Sequence, residues 1–247
     1  MDTPSKDTAV FLKEVYKVFP GEEKGSCTLA LNKVSLEIKE GSITVIGGAN
    51  GSGKSVLMQI ISGLMEASRG EVYTSSKAGL VFQDAATQIL GDTPREDVAV
   101  GPRNTGVKKS DIPPLVEKAL KEVSLFEKAD FPAEFLSGGE KRRLSVASII
   151  AMKRNIIIFD EPYANLDFPG VREVNALIKK LHSEGKTILL LTHELEKCLG
   201  LSDHFIILNK GNKVFDGPAE EALKMNLEDW GIHNPLASYS SLKELVW

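Results

Sequence analysis

Residues 42–55, "SITVIGGANGSGKS", constrain the fold more than any other part of this chain. A short apolar run stops at glycine, and a run with helical spacing, "KSVLMQIISGL" (54–64), follows at once. Between them, Gly48-Ala-Asn-Gly-Ser-Gly-Lys-Ser55 has the pattern GxxxxGKS. Glycines at this spacing let backbone N–H groups curl around phosphate oxygens; the lysine neutralises the outer phosphates and the adjoining hydroxyl ligates magnesium. With glycine near 7% of residues in general, such a match arises by chance about once in a hundred chains of this size. A strand before it and a helix after it make chance rarer still. The loop Asn50, Gly51, Ser52 and Gly53, with Lys54 and Ser55, is therefore the candidate phosphate site.

The surrounding sequence tells what kind of sheet carries this turn. "AVFLKEVYKVF" (9–19) and "LALNKVSLEI" (29–38) alternate as half-buried antiparallel strands do, with a glycine-containing turn between them. "EVYTS" and "AGLVFQ" continue the strand character. From about Thr93 to Arg154 the pattern is helical and more charged, punctuated by Pro94, Pro102, Pro113, Pro114 and Pro132. "NIIIFDEP" and "TILLLTH" then read as buried strands flanking an amphipathic helix, "PGVREVNALIKKLHSEG", and "HFIILNKGNKVFDG" reads as a hairpin turning at Gly-Asn. Continuous apolar strands alternating with helices predict a largely parallel sheet covered on both faces. The expected fold class is α/β: a mixed sheet core with an antiparallel β subdomain and a helical subdomain over about residues 86–154.

Composition narrows the function classes. The chain has 247 residues, enough for one large core, and 42% hydrophobic with 26% charged residues is ordinary for a globular protein. A net charge of −4 argues against a general nucleic-acid binder. Cys27 and Cys198 lie far apart and are expected to be unpaired thiols, and the four histidines include no i, i+4 pair suited to zinc. Residues 1–7 are polar, so no leader peptide is expected. The most apolar stretches, 144–152 and 188–191, fall far short of the roughly 20 residues that span a bilayer. A cytosolic chain is expected.

Acids and a histidine mark the strand ends. Asp160 and Glu161 close "IIIFDEP", where Asp160 is placed to hold magnesium and Glu161 to polarise an attacking water. Gln83 follows "AGLVF" and His193 follows "TILLLT", both at the strand edge where ligands gather in parallel α/β sheets. "LSGGEKRR" (136–143) is a second anion-reading turn: Ser137 caps a helix, Glu140 completes a capping box, and Gly138 and Gly139 let backbone N–H groups come close to a ligand.

Taken in order, "GANGSGKS", "VFQ", "LSGGEKRR", "IIIFDEP", "YANLD" and "LTHE" resemble the Walker A, Q-loop, signature, Walker B, D-loop and switch-histidine motifs of ABC transporter ATPases. The resemblance covers about residues 9–218, leaving 219–247 as a short C-terminal extension. It implies ATP and Mg²⁺ as ligands, with Glu161, His193 and Lys54 catalytic and with Ser55, Gln83 and Asp160 around the metal. It also implies two ATPase domains meeting head to tail, either as a homodimer or with a paralogue, so that Ser137, Gly138 and Gly139 contact the ATP held by the partner. The family's adenine-stacking aromatic aligns with Phe19, with Tyr16 as the alternative. Val56 departs from the pattern, standing where the family usually has a threonine that touches the α-phosphate.

Between the Q-loop and the signature, "FQDAATQILGDTPREDVAVGPRNTGV" resembles the energy-coupling-factor (ECF) subfamily, importers of vitamins and transition metals, through Gln83, Gln88, Asp97, Val98, Ala99, Gly101 and Pro102. The proline usual after the Q-loop is replaced within Asp84-Ala-Ala-Thr87, a stretch near the groove for a membrane partner's coupling helix. The tail "LEDWGIHNPL" (227–236) resembles the extension of these ATPases, against the plainer reading of a surface helix. The resemblance implies integral membrane partners, a peripheral location on the cytoplasmic face of the cell membrane, and no nucleic acid. ATPases of other ABC transporter classes, and soluble ATP-gated clamps, are the alternative readings.

Overall fold

The computed structural model describes residues 3–21, 26–238 and 241. Nine strands and six α-helices follow one another as β1 (Thr8–Pro20), β2 (Cys27–Lys39), β3 (Ile43–Gly47), α1 (Lys54–Ile61), β4 (Arg69–Thr74), β5 (Ala78–Val81), α2 (Pro94–Asn104), α3 (Ile112–Glu122), α4 (Gly138–Ala151), β6 (Ile156–Asp160), α5 (Phe168–Ser183), β7 (Thr187–Leu191), β8 (His204–Asn209), β9 (Asn212–Gly217) and α6 (Ala219–Ala222) among the described residues. Part of the turn between β1 and β2, residues 22–25, lies outside the described residues.

Two sheets result. The antiparallel one has the order β2-β1-β4, and the larger one the order β5-β6-β7-β3-β8-β9. All neighbours in the larger sheet are parallel except β8 and β9. The apolar runs explain this. All five residues of β3 and of β7 are buried, as strands covered on both faces must be. Because side chains alternate along a strand, Ile157, Phe159, Ile188, Leu190 and Ile207 face one core with the helices α3, α4 and α5. Ile156, Ile158, Leu189, Leu191 and Ile206 face another, built with Leu57, Met58, Ile60 and Ile61 of α1 and the inner face of the antiparallel sheet. The expected mixed sheet core with its antiparallel and helical additions is the fold.

Local details differ from the sequence reading in three places. Helix α1 ends at Ile61, because Gly63 takes a left-handed φ of 74° and the N–H groups of Leu64 and Met65 both return to the Gln59 carbonyl. The β8–β9 turn centres on Lys210 and Gly211, both with positive φ, so Asn212 already belongs to β9. Two positive-φ residues in a two-residue loop are a type I′ geometry, which suits strand twist. Pro94 opens α2 and Pro113 sits in the first turn of α3, where a missing N–H costs nothing, whereas Pro102 lies inside α2.

The chain beyond β9 packs back on the domain. Ala222, Leu227 and Ile232 are buried in the same core as Leu195 and Phe205. A Cβ added at Gly231 would lie 3.2 Å from the Cβ of Ala49 in the phosphate loop. Residues 239–240 and 242–247 of the expected extension lie outside the described residues.

Candidate active site

Strand order builds the site. Because β7 lies between β3 and β6, the C-terminal ends of these three strands bring the phosphate loop, His193 and the acids Asp160 and Glu161 to one edge. They line a cleft of about 510 Å³ together with Asn50, Gly51, Ser52, Gly53, Lys54, Ser55, Val56 and Gln83. Thr28, Leu29 and Ala30 of β2 and Lys210 and Gly211 of the hairpin close its other wall.

The loop's shape depends on backbone that only glycine supplies without strain. Gly53 has φ 105°, and a Cβ there would meet the Ala30 carbonyl at 2.8 Å. A Cβ at Gly48 would stand 2.3 Å from the Leu208 carbonyl. Gly53 is also the N-cap of α1 and offers no side-chain cap, so the first N–H groups of that helix are left for a ligand. An uncapped helix N-terminus under a glycine loop fits an anion. Ser52, almost fully buried, keeps a hydroxyl without a hydrogen-bond partner.

Charged groups meet beneath the loop. Lys54 Nζ donates to the Gly48 carbonyl at 2.7 Å and to the Ala49 carbonyl at 3.3 Å, and stands 3.8 Å from Glu161 Oε1. His193 Nδ1 lies 3.0 Å from the same carboxylate oxygen. A carboxylate oxygen can only accept, so Nδ1 is the donor in this contact. Glu161 has a left-handed φ of 44°, which aims its side chain into the cleft, with its N–H on the Leu191 carbonyl at 2.8 Å. Burial pushes the Lys54 ammonium below its ordinary pKa, against the attraction of Glu161 and Asp160. Burial and the Glu161 charge push the Asp160 carboxyl upward, against Lys54. Hard oxygen donors from Ser55, Asp160 and Gln83 on one wall fit Mg²⁺, which takes one or two protein carboxylates and completes its shell with water and phosphate.

Phe19 stands apart from this wall. It is half-buried at the end of β1, paired with Thr28, and its ring faces Lys17 Nζ at 5.2 Å rather than lining the cleft. Tyr16 pairs with Arg69 of β4, further from the mouth. Ser137, Gly138 and Gly139 do not line the cleft either. They open α4 with the expected capping box: Glu140 N–H donates to Ser137 Oγ at 3.3 Å, and Ser137 N–H to Glu140 Oε2 at 2.9 Å.

The sequence profile of the family described as ABC transporter matches residues 31–164, more than half of the chain. This chain belongs to the ABC transporter family, as an ATP-binding protein. It is 39% identical over 223 residues to the energy-coupling factor transporter ATP-binding protein EcfA of Carboxydothermus hydrogenoformans, covering 84% of this chain and 82% of that one. It is 41% identical over 209 residues to EcfA1 of Caldanaerobacter subterraneus subsp. tengcongensis, covering 78% and 75%. Among solved structures, cbiO1 of Clostridium perfringens, described as part of the ABC transporter complex cbiONQ, superposes with a TM-score of 0.79 at 28% identity, covering 89% of this chain and 92% of that one. The ATP-binding cassette MJ0796, solved as a dimer in a post-hydrolysis state with ADP and Pi, gives 0.74 at 28% identity, covering 85% and 98%. As an ABC ATPase the protein binds ATP and couples its hydrolysis to transport.

Several residues of the Q-loop-to-signature segment have work inside this chain. Gln88 Nε2 donates to the Leu80 carbonyl at 2.7 Å and its Oε1 accepts from Phe82 N–H at 3.2 Å, so an amide pairs with β5 as another strand would. Buried Asp97 accepts from Leu90 N–H, Gly91 N–H and Ser148 Oγ, fixing the loop before α2. A Cβ at Gly101 would meet Met152 at 2.6 Å. Without a proline after the Q-loop, Asp84 Oδ1 accepts from Ala86 N–H at 3.0 Å and starts the 3₁₀ turn Ala85–Gln88 itself. The sequence reading assigned no role to Arg142, which is 4% exposed and reaches both Gln83 and Glu161. No periodicity marked it in the sequence: Ser145 and Ile149 share its side of α4, but buried residues run nearly all round this helix.

Proposed function

We propose that this chain is the ATP-hydrolysing subunit of an ECF-type importer, carrying a vitamin or a transition-metal ion. It works on the cytoplasmic face of the membrane as a two-fold pair with a second copy or a paralogous ATPase. The observation that carries the hydrolytic reading is the meeting of Lys54, Glu161 and His193 in one cleft beneath an uncapped helix N-terminus. The relatives' names support the ECF assignment.

The chain's own residues then divide the work. Phosphates of ATP lie on the N–H groups of residues 50–56, with Lys54 against the β- and γ-oxygens. Ser55, Asp160 and Gln83 would hold Mg²⁺, which would supply positive charge against the phosphates. Glu161 orients water in line with the γ-phosphate and accepts its hydrogen bond. His193 Nδ1–H holds that carboxylate in place. Phe19, outside the cleft but paired with the cleft-lining Thr28, is the adenine-stacking aromatic in this reading, and Val56 contributes packing but no bond to the α-phosphate.

Ser137–Gly139 belong to the neighbour's site in this reading. Gly138 has no positive φ, and a Cβ there would meet no atom within 4 Å, so nothing among the described residues requires glycine. A nucleotide approaching from the partner supplies that requirement. Apolar Phe82 and Leu90, exposed on either side of the turn Ala85–Gln88, suit a docked segment of the membrane subunit.

Glu161→Gln tests the central claim. The amide keeps the shape but cannot accept the water's proton, so ATP binding is retained and steady-state hydrolysis falls by about 10²-fold or more. The variant accumulates as an ATP-bound dimer on size-exclusion chromatography. Turnover equal to the unmodified protein's would remove Glu161 from this role.

A further inference from the structure

The side chain of Arg142 joins two loops of the cleft from behind. Its Nη1 donates to the carbonyl of Glu161 at 3.2 Å and its Nη2 to the carbonyl of Gln83 at 3.0 Å. Both hydrogen-bond partners are backbone, one beside the water-orienting carboxylate and one beside the glutamine of the metal wall. We propose that Arg142 is a positioning residue for hydrolysis, holding the Glu161 backbone in the conformation that aims its carboxylate at the attacking water.

The geometry at Glu161 carries the inference. A left-handed φ of 44° is uncommon for a residue with a side chain and persists when the surroundings over-determine it. Here the two sides of Glu161 are fixed by different elements. Its N–H is bound to Leu191 of β7, and its carbonyl accepts from Arg142 of α4 and from the Ala164 N–H of its own turn, each at 3.2 Å. Without Arg142 the carbonyl keeps only the Ala164 N–H, a bond inside the same turn that moves with it, so nothing outside the turn resists relaxation toward the right-handed region, which swings the carboxylate away from His193 and Lys54. His193 alone cannot replace the clamp, because its ring is 53% exposed and it holds only the end of the side chain.

The cost of the arrangement shows that it is more than packing. Arg142 is 4% exposed, and its Nε is buried without a hydrogen-bond partner. Burial pushes the guanidinium pKa down, opposed by the charge of Asp84. A methionine or leucine would fill the space without taking a charge out of water. What those residues lack is a planar fork whose N–H groups reach two carbonyls at a fixed angle, and lysine lacks it too. Arg142 also lies one helical turn from Gly138, so the helix offered to the partner's nucleotide is the one that holds this chain's own Glu161.

This inference rests on the reading of Glu161 as the water-orienting residue, and the test separates the two. Arg142→Lys keeps the charge and most of the volume but has one nitrogen where the planar fork places two at fixed positions. Purified Arg142→Lys should bind Mg-ATP with a Kd within about twofold of the unmodified protein and leave KM for ATP nearly unchanged, while kcat falls at least about tenfold. In a Glu161→Gln background the same change should add less than about twofold to the loss, read by single-turnover hydrolysis, because both act through one group. Arg142→Gln, with one amide donor, serves as the second variant if the lysine protein does not fold. An unchanged kcat overturns the proposal. So does a loss of ATP binding equal to the loss of kcat, which marks a merely structural role. So does a full additional loss on top of Glu161→Gln, which places Arg142 on another path. Wild-type turnover by Glu161→Gln alone instead defeats the reading of Glu161.

Discussion

Asp160 and Glu161 are neighbouring carboxylates at the end of a buried strand, and their electrostatics set a cost on the fold. The Asp160 carboxyl is raised above its ordinary value of 3.8 by burial first and by Glu161 second. The native state therefore holds that proton more tightly than the unfolded chain, and stability falls as pH rises from 3.8 through the folded value. Above that folded value the cost is fully present. Lys54 adds to it with the opposite titration: burial lowers its pKa below 10.5, so its cost also persists at neutral pH and is relieved only as pH rises through the folded value toward 10.5. Asp160→Asn should thus stabilise the protein in the absence of nucleotide, by roughly 0.5–2 kcal/mol as active-site charge removal commonly does. For a chain of this size each kcal/mol is about 2–4 °C in Tm. Calorimetry at pH 7.5 should show the gain, the gain should shrink as pH is lowered toward 3.8, and Mg-ATP binding should weaken. A lower Tm at pH 7.5 would contradict the sign of the Asp160 shift.

Helix α4 shows what an element's ends encode. Its capping box is reinforced by Lys128, whose Nζ bonds Glu140 Oε1 at 2.6 Å, and this bond is the main reason the Glu140 carboxyl lies below its ordinary 4.5. A depressed carboxyl contributes stability above 4.5 that is lost as pH falls through the folded value. Glu140→Gln keeps an oxygen for the Ser137 N–H and gives up the charge, so a loss of about 0.5–1 kcal/mol is expected at pH 7, shrinking below pH 4.5. Urea titrations at two pH values measure it, and a pH-independent difference would assign the effect to packing. This cap was legible in residues 137–140 because it is made of neighbours. So were β3 running into α1, the buried strands β6 and β7, and the amphipathic α5, all of which rest on periodicity within one segment. What was not legible depends on partners distant in sequence. No local pattern places β7 between β3 and β6, yet that order brings His193 to Glu161. Arg142 carried no signal of its own, because its carbonyl partners belong to two other loops. The β8–β9 turn was misplaced by one residue because Lys210, not asparagine, takes the first left-handed position.

At the scale of the whole molecule the signature is the test, because it is built on one side of the chain and has no ligand contact within it. Ser137 and Gly138 are exposed and outside the cleft, and the cap that orders them is complete without any nucleotide. If two copies pair with two-fold symmetry, each ATP lies between the phosphate loop of one and the signature of the other. Lys54→Ala removes the phosphate's charge partner and should inactivate a homodimer. Gly138→Asp should do the same by placing bulk and negative charge where an N–H faces the γ-phosphate. The space around Gly138 lets that variant fold, since an added Cβ meets nothing within 4 Å. Mixing the two variants makes some dimers with one doubly damaged site and one intact site, which joins the loop of the Gly138→Asp chain to the signature of the Lys54→Ala chain. Random pairing makes about half the dimers mixed, each with one of two sites, so hydrolysis should recover to about a quarter of the unmodified rate where single sites turn over. With a paralogous partner the two changes are divided between the two chains, which leaves one site intact, whereas both changes in the same chain damage both sites. Mixed dimers that form, verified by two different affinity tags, and recover no hydrolysis in either arrangement would overturn either the trans placement of the signature or the turnover of a single site, and a signature cross-linked to ATP within one chain would reject the trans placement directly.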